Sequence, residues 1–267
     1  MEIKFEHNTF AKRLKSMLAV DFRRMFTMPL LYIMMGVCLV MPILILVMTT
    51  MMDGSVSVNP QTGEETVIEG FDNTWQIIGT VTGESSAMSM DMTSMCNINL
   101  LYFFVAVLVC IFVAEDFRSG YAKNLFTVRA KKTDYCISKT LVCLVGGSGM
   151  MLAFLVGAML GGAISGLPFD TGVAGVSGII MCMLSKLLLV AVFVPIYLLM
   201  SVVGKQKLWL SLVGSLGVSM LLFMMIPMLT PLNATMINVV LCLAGGIVFS
   251  VGLGAISNAI LRKTSLV

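Results

Sequence analysis

Six long apolar runs alternate with polar segments along the chain. The runs cover residues 29–52, 98–114, 140–165, 187–204, 208–229 and 236–261. Each is close to the length of about 20 residues that a helix needs to cross the hydrocarbon core of a bilayer. Within lipid every backbone N–H and C=O must be paired inside its own segment, which only a helix achieves. The pattern therefore predicts an all-α fold: a single polytopic membrane domain, 1–267, with six transmembrane helices.

Two polar segments of this pattern have predicted structure of their own. Residues 8–28 place apolar side chains on one helical face and basic side chains on the other, which predicts an amphipathic helix lying at the membrane interface. Such a helix serves as a membrane anchor, as a docking surface for a partner, or as both. The extracytoplasmic loop predicted at 53–97 begins with a turn-rich stretch, and short helices are expected between residues 74 and 96.

Composition supports a membrane protein. The 267 residues are 58% hydrophobic and only 12% charged, with a mean hydropathy of +0.99. A soluble domain carries about 25% charged residues, so a soluble fold of this size is excluded. Most of the seven cysteines fall inside apolar runs without a CxxC spacing, which predicts buried thiols rather than disulfides or a metal site.

The basic residues determine the expected orientation. All but one of the 17 Lys and Arg residues lie in the N-terminal segment, in 115–139, between the fourth and fifth runs, or in the tail. An even number of spans puts these four regions on the same side of the membrane, and the positive-inside rule makes that side cytoplasmic. We expect a multi-pass protein of the cell membrane with both termini in the cytoplasm.

The chain lacks the residues that several kinds of chemistry require. The chain has no GxxxxGK[ST] motif, and its one histidine, His7, excludes a His-based metal cluster or a Ser-His-Asp triad. No catalytic residue, metal site or nucleic-acid partner is therefore expected. The 25 methionines raise the alternative of Cu(I) binding, but their scatter through every run favours packing. Gly157 and Gly161 predict close approach of two helices.

The polar segment 115–139 combines both signs of charge with several large apolar side chains. Phe117, Tyr121, Leu125, Phe126 and Tyr135 are unusual in a solvated loop. A short amphipathic helix docking into the groove of a partner explains them. The alternative is a basic segment that only sets topology. The residues alone leave both interpretations open.

This segment resembles the cytoplasmic loop after the second span in permeases of type-2 ABC exporters. The matching positions are Glu115, Gly120, Lys123-Asn124-Leu125, Lys132, Tyr135 and Ser138-Lys139. Lys132 departs from the family pattern, where this position is usually Arg, and a lysine lacks bidentate hydrogen bonding. In overall look the chain is similar to bacterial permeases of bacitracin- and lantibiotic-type peptide export or immunity.

The resemblance implies the membrane subunit of an ATP-driven exporter, paired with a second permease chain of the same or a related kind. ATP and Mg²⁺ would bind a separate cytoplasmic ATPase subunit, and this chain would bind no cofactor and hydrolyse nothing itself. The residues expected to couple to the ATPase are Glu115, Asp116, Phe117, Arg118, Gly120, Tyr121, Lys123, Asn124, Leu125, Lys132 and Tyr135.

The spans, poor in charge, suit a hydrophobic or amphipathic substrate, and the resemblance implies an antimicrobial peptide as one such substrate. The alternative function is a non-transporting membrane sensor or immunity protein that binds a ligand through its outer loop.

Lys186 is the one basic residue outside the cytoplasmic regions. The run 187–204 covers about 27 Å of helix at 1.5 Å per residue, which predicts Lys186 at the outer membrane boundary. There it would snorkel to the interface, pair with an acidic residue of the outer loop, or face substrate. Residues 172–185 would then lie outside the bilayer or re-enter it.

Overall fold

The computed structural model is built almost entirely of helices. It describes the chain except for residues 1–9, 59–64, 68–69, 81–95, 128–130, 206, 224 and 264–267. The α-helices are α1 (Phe10–Thr27), α2 (Pro29–Met52), α3 (Leu101–Arg118), α4 (Tyr121–Thr127), α5 (Lys132–Ser165), α6 (Gly175–Gly204), α7 (Leu208–Phe223), α8 (Ile226–Leu229) and α9 (Met236–Lys263). Short 3-10 turns occupy Thr74–Ile77, Ile98–Leu100 and Gly172–Ala174.

The long helices run between two ends of one bundle. Helices α3, α5 and α6 form the centre, while α2, α7 and α9 lie at the periphery with apolar faces turned outward. The basic end, as we name it, carries α1, α4, the start of α5 and the last turn of α9. The opposite end carries the described short strands and turns between α2 and α3, together with the start of α3.

In the described part of the chain, five helices are long and apolar enough to cross a membrane: α2, the Ile98–Arg118 segment, α5, α6 and α9. The sixth predicted span, 208–229, is divided between the shorter helix α7 and the single turn α8. The outward apolar faces and long apolar helices are those of a membrane-embedded protein.

Helix α1 ends where the chain meets Pro29. Met28 adopts an extended conformation, with φ −79° and ψ 120°, because a residue before proline is disfavoured in the helical region. Proline in turn suits the first position of α2, where no N–H is needed. The predicted interfacial helix is therefore separated from the first span by a sharp backbone change, and its first predicted residues lie outside the described part of the chain.

Two glycines of α5 allow α2 to pack against it. A Cβ at Gly157 would collide with the carbonyl oxygen of Leu39, and one at Gly161 would lie 2.8 Å from the Cα of Ile43. Only glycine permits helices to approach so closely. The predicted packing role of this glycine pair is confirmed, with the partner helix belonging to the same chain.

Three helices continue beyond the apolar runs from which the spans were predicted. Helix α3 continues past residue 114 to Arg118, and α5 begins at Lys132 rather than at 140. The predicted spans stop before the first charged residues, which are costly in lipid. Inside this bundle, charged residues of the two helices beyond those spans pair with one another. Helix α6 begins at Gly175 rather than at 187, so residues 175–185 are part of one continuous helix.

The described parts of the segment between α2 and α3 lie at the opposite end. Strands β1 (Val56–Val58) and β2 (Glu65–Val67) pair antiparallel, with Val56 opposite Val67. The backbone N–H of Thr74 donates to the carbonyl of Pro168 at 3.1 Å, which joins the Thr74–Ile77 turn to the loop after α5. This turn agrees with the expectation of short helices, whereas residues 81–95 lie outside the described residues.

Candidate functional site

Four charged side chains from three helices meet at the basic end, and we call them the charge cluster: Asp21 and Arg24 of α1, Asp116 of α3, and Lys139 of α5. Lys139 Nζ lies 2.9 Å from Asp21 Oδ1 and 2.7 Å from Asp116 Oδ2. Arg24 Nη1 lies 2.6 Å from Asp116 Oδ1. Two carboxylates and two cations leave the cluster without net charge.

The burial of the cluster makes its pairing essential. Asp21, Asp116 and Lys139 are each 0% exposed, and a charge removed from water costs several kcal/mol unless it is paired and hydrogen-bonded. Both carboxylates receive a further hydrogen bond. Tyr135 donates its hydroxyl to Asp116 Oδ2 at 2.9 Å, and Ser138 donates to Asp21 Oδ2 at 2.6 Å. These bonds supply the additional satisfaction that a buried ion pair needs.

Arg24 connects the cluster to the short helix α4. Its guanidinium lies 4.1 Å from the centre of the Tyr121 ring, a cation–π contact. Burial acts to lower the pKa of Arg24, but Asp116, Tyr121 and Asp21 together outweigh burial and the pKa is raised, so the guanidinium stays charged. Burial raises the pKa of the Tyr121 phenol, which stays neutral. The cation therefore joins α1, α3 and α4.

The turn into α4 depends on Gly120. Its φ of +74° lies in the left-handed region that favours glycine. The backbone N–H of Asn124 donates to the Gly120 carbonyl at 3.0 Å, which begins the helix. Ala122 is then fully buried against the bundle, while Lys123 and Asn124 point outward and are exposed. The result is a short helix with one packed face and one free face.

Three further contacts extend this network around the cluster. Arg13 Nε of α1 lies 3.1 Å from Asp134 Oδ2 of α5. Lys132 Nζ donates to the carbonyl oxygen of Leu261 in α9 at 2.5 Å. The ring of Phe126 packs edge-to-face on Tyr135, with ring centres 5.4 Å apart. The start of α5 is thus tied to α1, to α4 and to the end of α9.

The structure separates the residues expected to couple to an ATPase into two groups. The buried or half-buried group is Asp116, Phe117, Gly120, Tyr121, Leu125, Lys132 and Tyr135. The exposed group is Glu115, Arg118, Lys123 and Asn124. All of them lie at the basic end, but only the exposed group offers side chains to a partner. Whether they bind one stays a prediction.

The sequence interpretation gave no role to Asp21, Arg24 or Lys139. Asp21 stands between Met17 and Met25 at intervals of four residues, so it lies on the buried face of α1. A carboxylate in the middle of an otherwise apolar face was the available signal, because a buried carboxylate requires a cation nearby. Lys139 was noted only as part of the family motif.

Lys186 lies in a different environment, near the opposite end. It is 0% exposed, and its Nζ donates to Asn99 Oδ1 and to Thr230 Oγ1, both at 2.9 Å. Among the described residues, no carboxylate lies within ion-pair distance of it. Its backbone carbonyl accepts a bond from the Tyr102 hydroxyl at 2.9 Å.

Whether Lys186 lies at the outer membrane boundary stays a prediction, but its surroundings differ from those expected there. The lysine lies inside the continuous helix α6 and under the segments that cover the opposite end, where it cannot snorkel to water. Its partners are neutral oxygens from the start of α3 and the end of α8 rather than an acidic side chain. A role in substrate binding stays a prediction.

Within the described residues, no three His, Cys, Asp or Glu side chains are grouped so that they could hold a metal ion. Comparisons with family models, with curated proteins and with solved structures gave no match. The class that the fold defines is thus a helical membrane protein, and its function is inferred from its own residues.

Proposed function

We propose that this chain is the membrane-spanning permease subunit of an ATP-driven exporter in a bacterial cell membrane. A separate ATPase subunit docks on α4, two permease chains assemble with it, and ATP and Mg²⁺ bind the ATPase. One observation carries the proposal: α4 presents a free face at the end of the bundle while buried charges connect it to three other helices.

The mechanical requirement of such a subunit is that motion of a surface element reaches the spans. Breaking one partner of a buried ion pair costs about 3–5 kcal/mol. The charge cluster therefore favours movement of α1, α3 and the start of α5 as one unit with α4. A partner that shifts α4 would tilt α3 and α5 together, which is the movement that alternating access needs.

The exposed group around α4 supports the docking role. Lys123 and Asn124 are exposed on the free face of α4, and Glu115 and Arg118 are exposed in the last turn of α3. They combine both charges with a side-chain amide, a set suited to a polar protein interface. The basic composition of this end agrees with the predicted cytoplasmic orientation.

Co-purification tests the proposal. The tagged chain is isolated from the membranes of its own organism, and any ATPase subunit that copurifies with it is identified. The double variant Lys123→Glu, Asn124→Ala is expected to lose ATPase association while its thermal unfolding is unchanged, because both side chains are exposed. Arg262→Gln, an exposed cation at the end of α9, is the matched control and should retain association.

Unchanged association and unchanged ATPase turnover in the double variant would contradict the docking role of α4. Absence of any ATPase partner, together with ligand binding by the segment between α2 and α3, would favour the sensor or immunity protein instead. Hydrophobic or amphipathic substrates, including antimicrobial peptides, are the first cargo to assay because the helices carry few charges in their central turns.

A further inference from the structure

A groove on the bundle surface at the basic end shares only Arg118 with the residues proposed to dock the ATPase. It has a volume of about 740 Å³ and is lined by Arg118, Lys207, Leu208, Trp209, Leu210 and Val213. Arg118 is the last residue of α3, and Lys207 directly precedes α7. The groove therefore lies between the end of one helix and the start of another, with charge at its rim and apolar side chains along α7.

The two exposed cations of this groove differ from three buried or half-buried cations of the basic end. Arg13, Arg24 and Lys139 each pair with a carboxylate. Among the described residues, Arg118 and Lys207 form no ion pair, and both side chains are exposed. The first N–H groups of α7 add a positive helix end at the same place. The rim is thus complementary to an anion.

The apolar wall of the groove favours a lipid over a soluble anion. The Trp209 side chain is 81% exposed, and Leu210 and Val213 are exposed beside it. An indole at the end of an outward apolar face is typical of the membrane interface. A free phosphate gains nothing from these side chains, whereas a phospholipid places its phosphate on the cations and an acyl chain on the apolar wall.

We propose that this groove binds one anionic phospholipid. Its phosphate contacts Arg118 and Lys207, its glycerol region lies beside the indole of Trp209, and an acyl chain follows Leu210 and Val213 along α7. The occupant would come from the same leaflet as the basic end. The site is independent of the exporter proposal, because lipid binding requires neither α4 nor an ATPase.

The two tryptophans of the chain make the site measurable. Trp75 lies at the opposite end, in edge contact with Phe169, so the Trp75→Phe variant reports on Trp209 alone. This variant is reconstituted in vesicles of zwitterionic lipid that contain brominated phosphatidylglycerol or, separately, brominated phosphatidylcholine at the same mole fraction. Quenching of Trp209 by the anionic lipid should be clearly stronger.

Removal of the cations should abolish this preference. Each cation near a membrane surface strengthens binding of anionic lipid about fivefold, so Arg118→Gln combined with Lys207→Gln should lower the preference by that factor per charge. Arg262→Gln is the matched control, since it removes one exposed cation from the same end outside the groove. Native mass spectrometry of the chain with both tryptophans should show a phosphatidylglycerol adduct that the double variant loses.

Three outcomes would overturn the proposal. Equal quenching by the two brominated lipids would show that the groove does not select anionic lipid. An unchanged preference in the double variant would assign it to the general positive charge of this end. Displacement of the lipid by inorganic phosphate alone, at concentrations that leave ionic strength constant, would make the groove a small-anion site instead.

Discussion

Two buried lysines near opposite ends of the bundle solve the same physical problem in different ways. Lys139 and Lys186 are both 0% exposed. Lys139 lies between the carboxylates of Asp21 and Asp116, whereas Lys186 donates to the neutral oxygens of Asn99 and Thr230. One cation is compensated by opposite charge, and the other only by hydrogen bonds.

The difference shows at which end of the bundle the buried charges depend on one another for stability. At the basic end each charge requires the others, so removal of one leaves a buried charge unpaired at high cost. At the opposite end the partners of Lys186 remain neutral without it. We therefore expect the basic end to behave as one rigid unit and the surroundings of Lys186 to tolerate loss of the cation.

The largest expected effect comes from Lys139→Met. Methionine preserves much of the side-chain volume but leaves the carboxylates of Asp21 and Asp116 buried with less positive charge nearby. We expect the free energy of unfolding to fall by about 3–5 kcal/mol. The measurement is thermal unfolding in detergent. Lys132→Met is the control, because it removes a half-buried donor to a backbone carbonyl. It should lower the free energy of unfolding by less. Equal losses in the two variants would contradict the special role of Lys139.

A smaller loss is expected for Thr230→Val, which keeps the shape of the side chain but removes one acceptor from Lys186. Hydrogen bonds to charged groups contribute about 1.5–3 kcal/mol, so the free energy of unfolding should fall by about that amount. The same substitution in a Lys186→Met background should cost less, because the donor is gone. Equal costs in both backgrounds would show that the bond carries no coupling energy.

The smallest stability change is expected for Lys186→Met itself. The substitution removes the desolvation cost of a buried cation and at the same time the hydrogen bonds to Asn99 and Thr230. Because these terms oppose each other, the free energy of unfolding should change by less than about 1 kcal/mol, well below the loss for Lys139→Met. A loss equal to that of Lys139→Met would break the comparison and indicate an anionic partner for Lys186.

The apolar runs predicted the long helices well because a run of about 20 apolar residues has one structural solution in a membrane. The apolar runs could not show how far the helices continue beyond the predicted spans. Ending a span at its first charge assumes that the charge meets lipid, but Asp116 and Lys139 meet each other across two helices. Asp21, which joins them from α1, is more than ninety residues away in sequence.

The sequence predicted the region in which the candidate site lies, but not the arrangement of its side chains. The pattern of 115–139 placed the relevant residues at one end of the bundle, but it did not separate Glu115 from Asp116. Adjacent residues of a helix point about 100° apart, so one carboxylate is exposed and the next is fully buried. The neutral partners of Lys186 come from distant segments of the chain and follow no sequence spacing.

Cys96 provides the last test. The test determines which side of the membrane each end of the bundle faces, and it does not depend on a change in stability. Cys96 is the half-buried thiol next to the turn that carries Asn99, whereas the other six cysteines are buried. A membrane-impermeant maleimide applied to intact cells should label the chain, and Cys96→Ser should abolish the labelling. Burial raises the pKa of the Cys96 thiol, and the thiolate is the reactive form, so the labelling rate should increase with pH across the alkaline range. Labelling only after the cells are permeabilised would place the Lys186 end in the cytoplasm and reverse the predicted orientation.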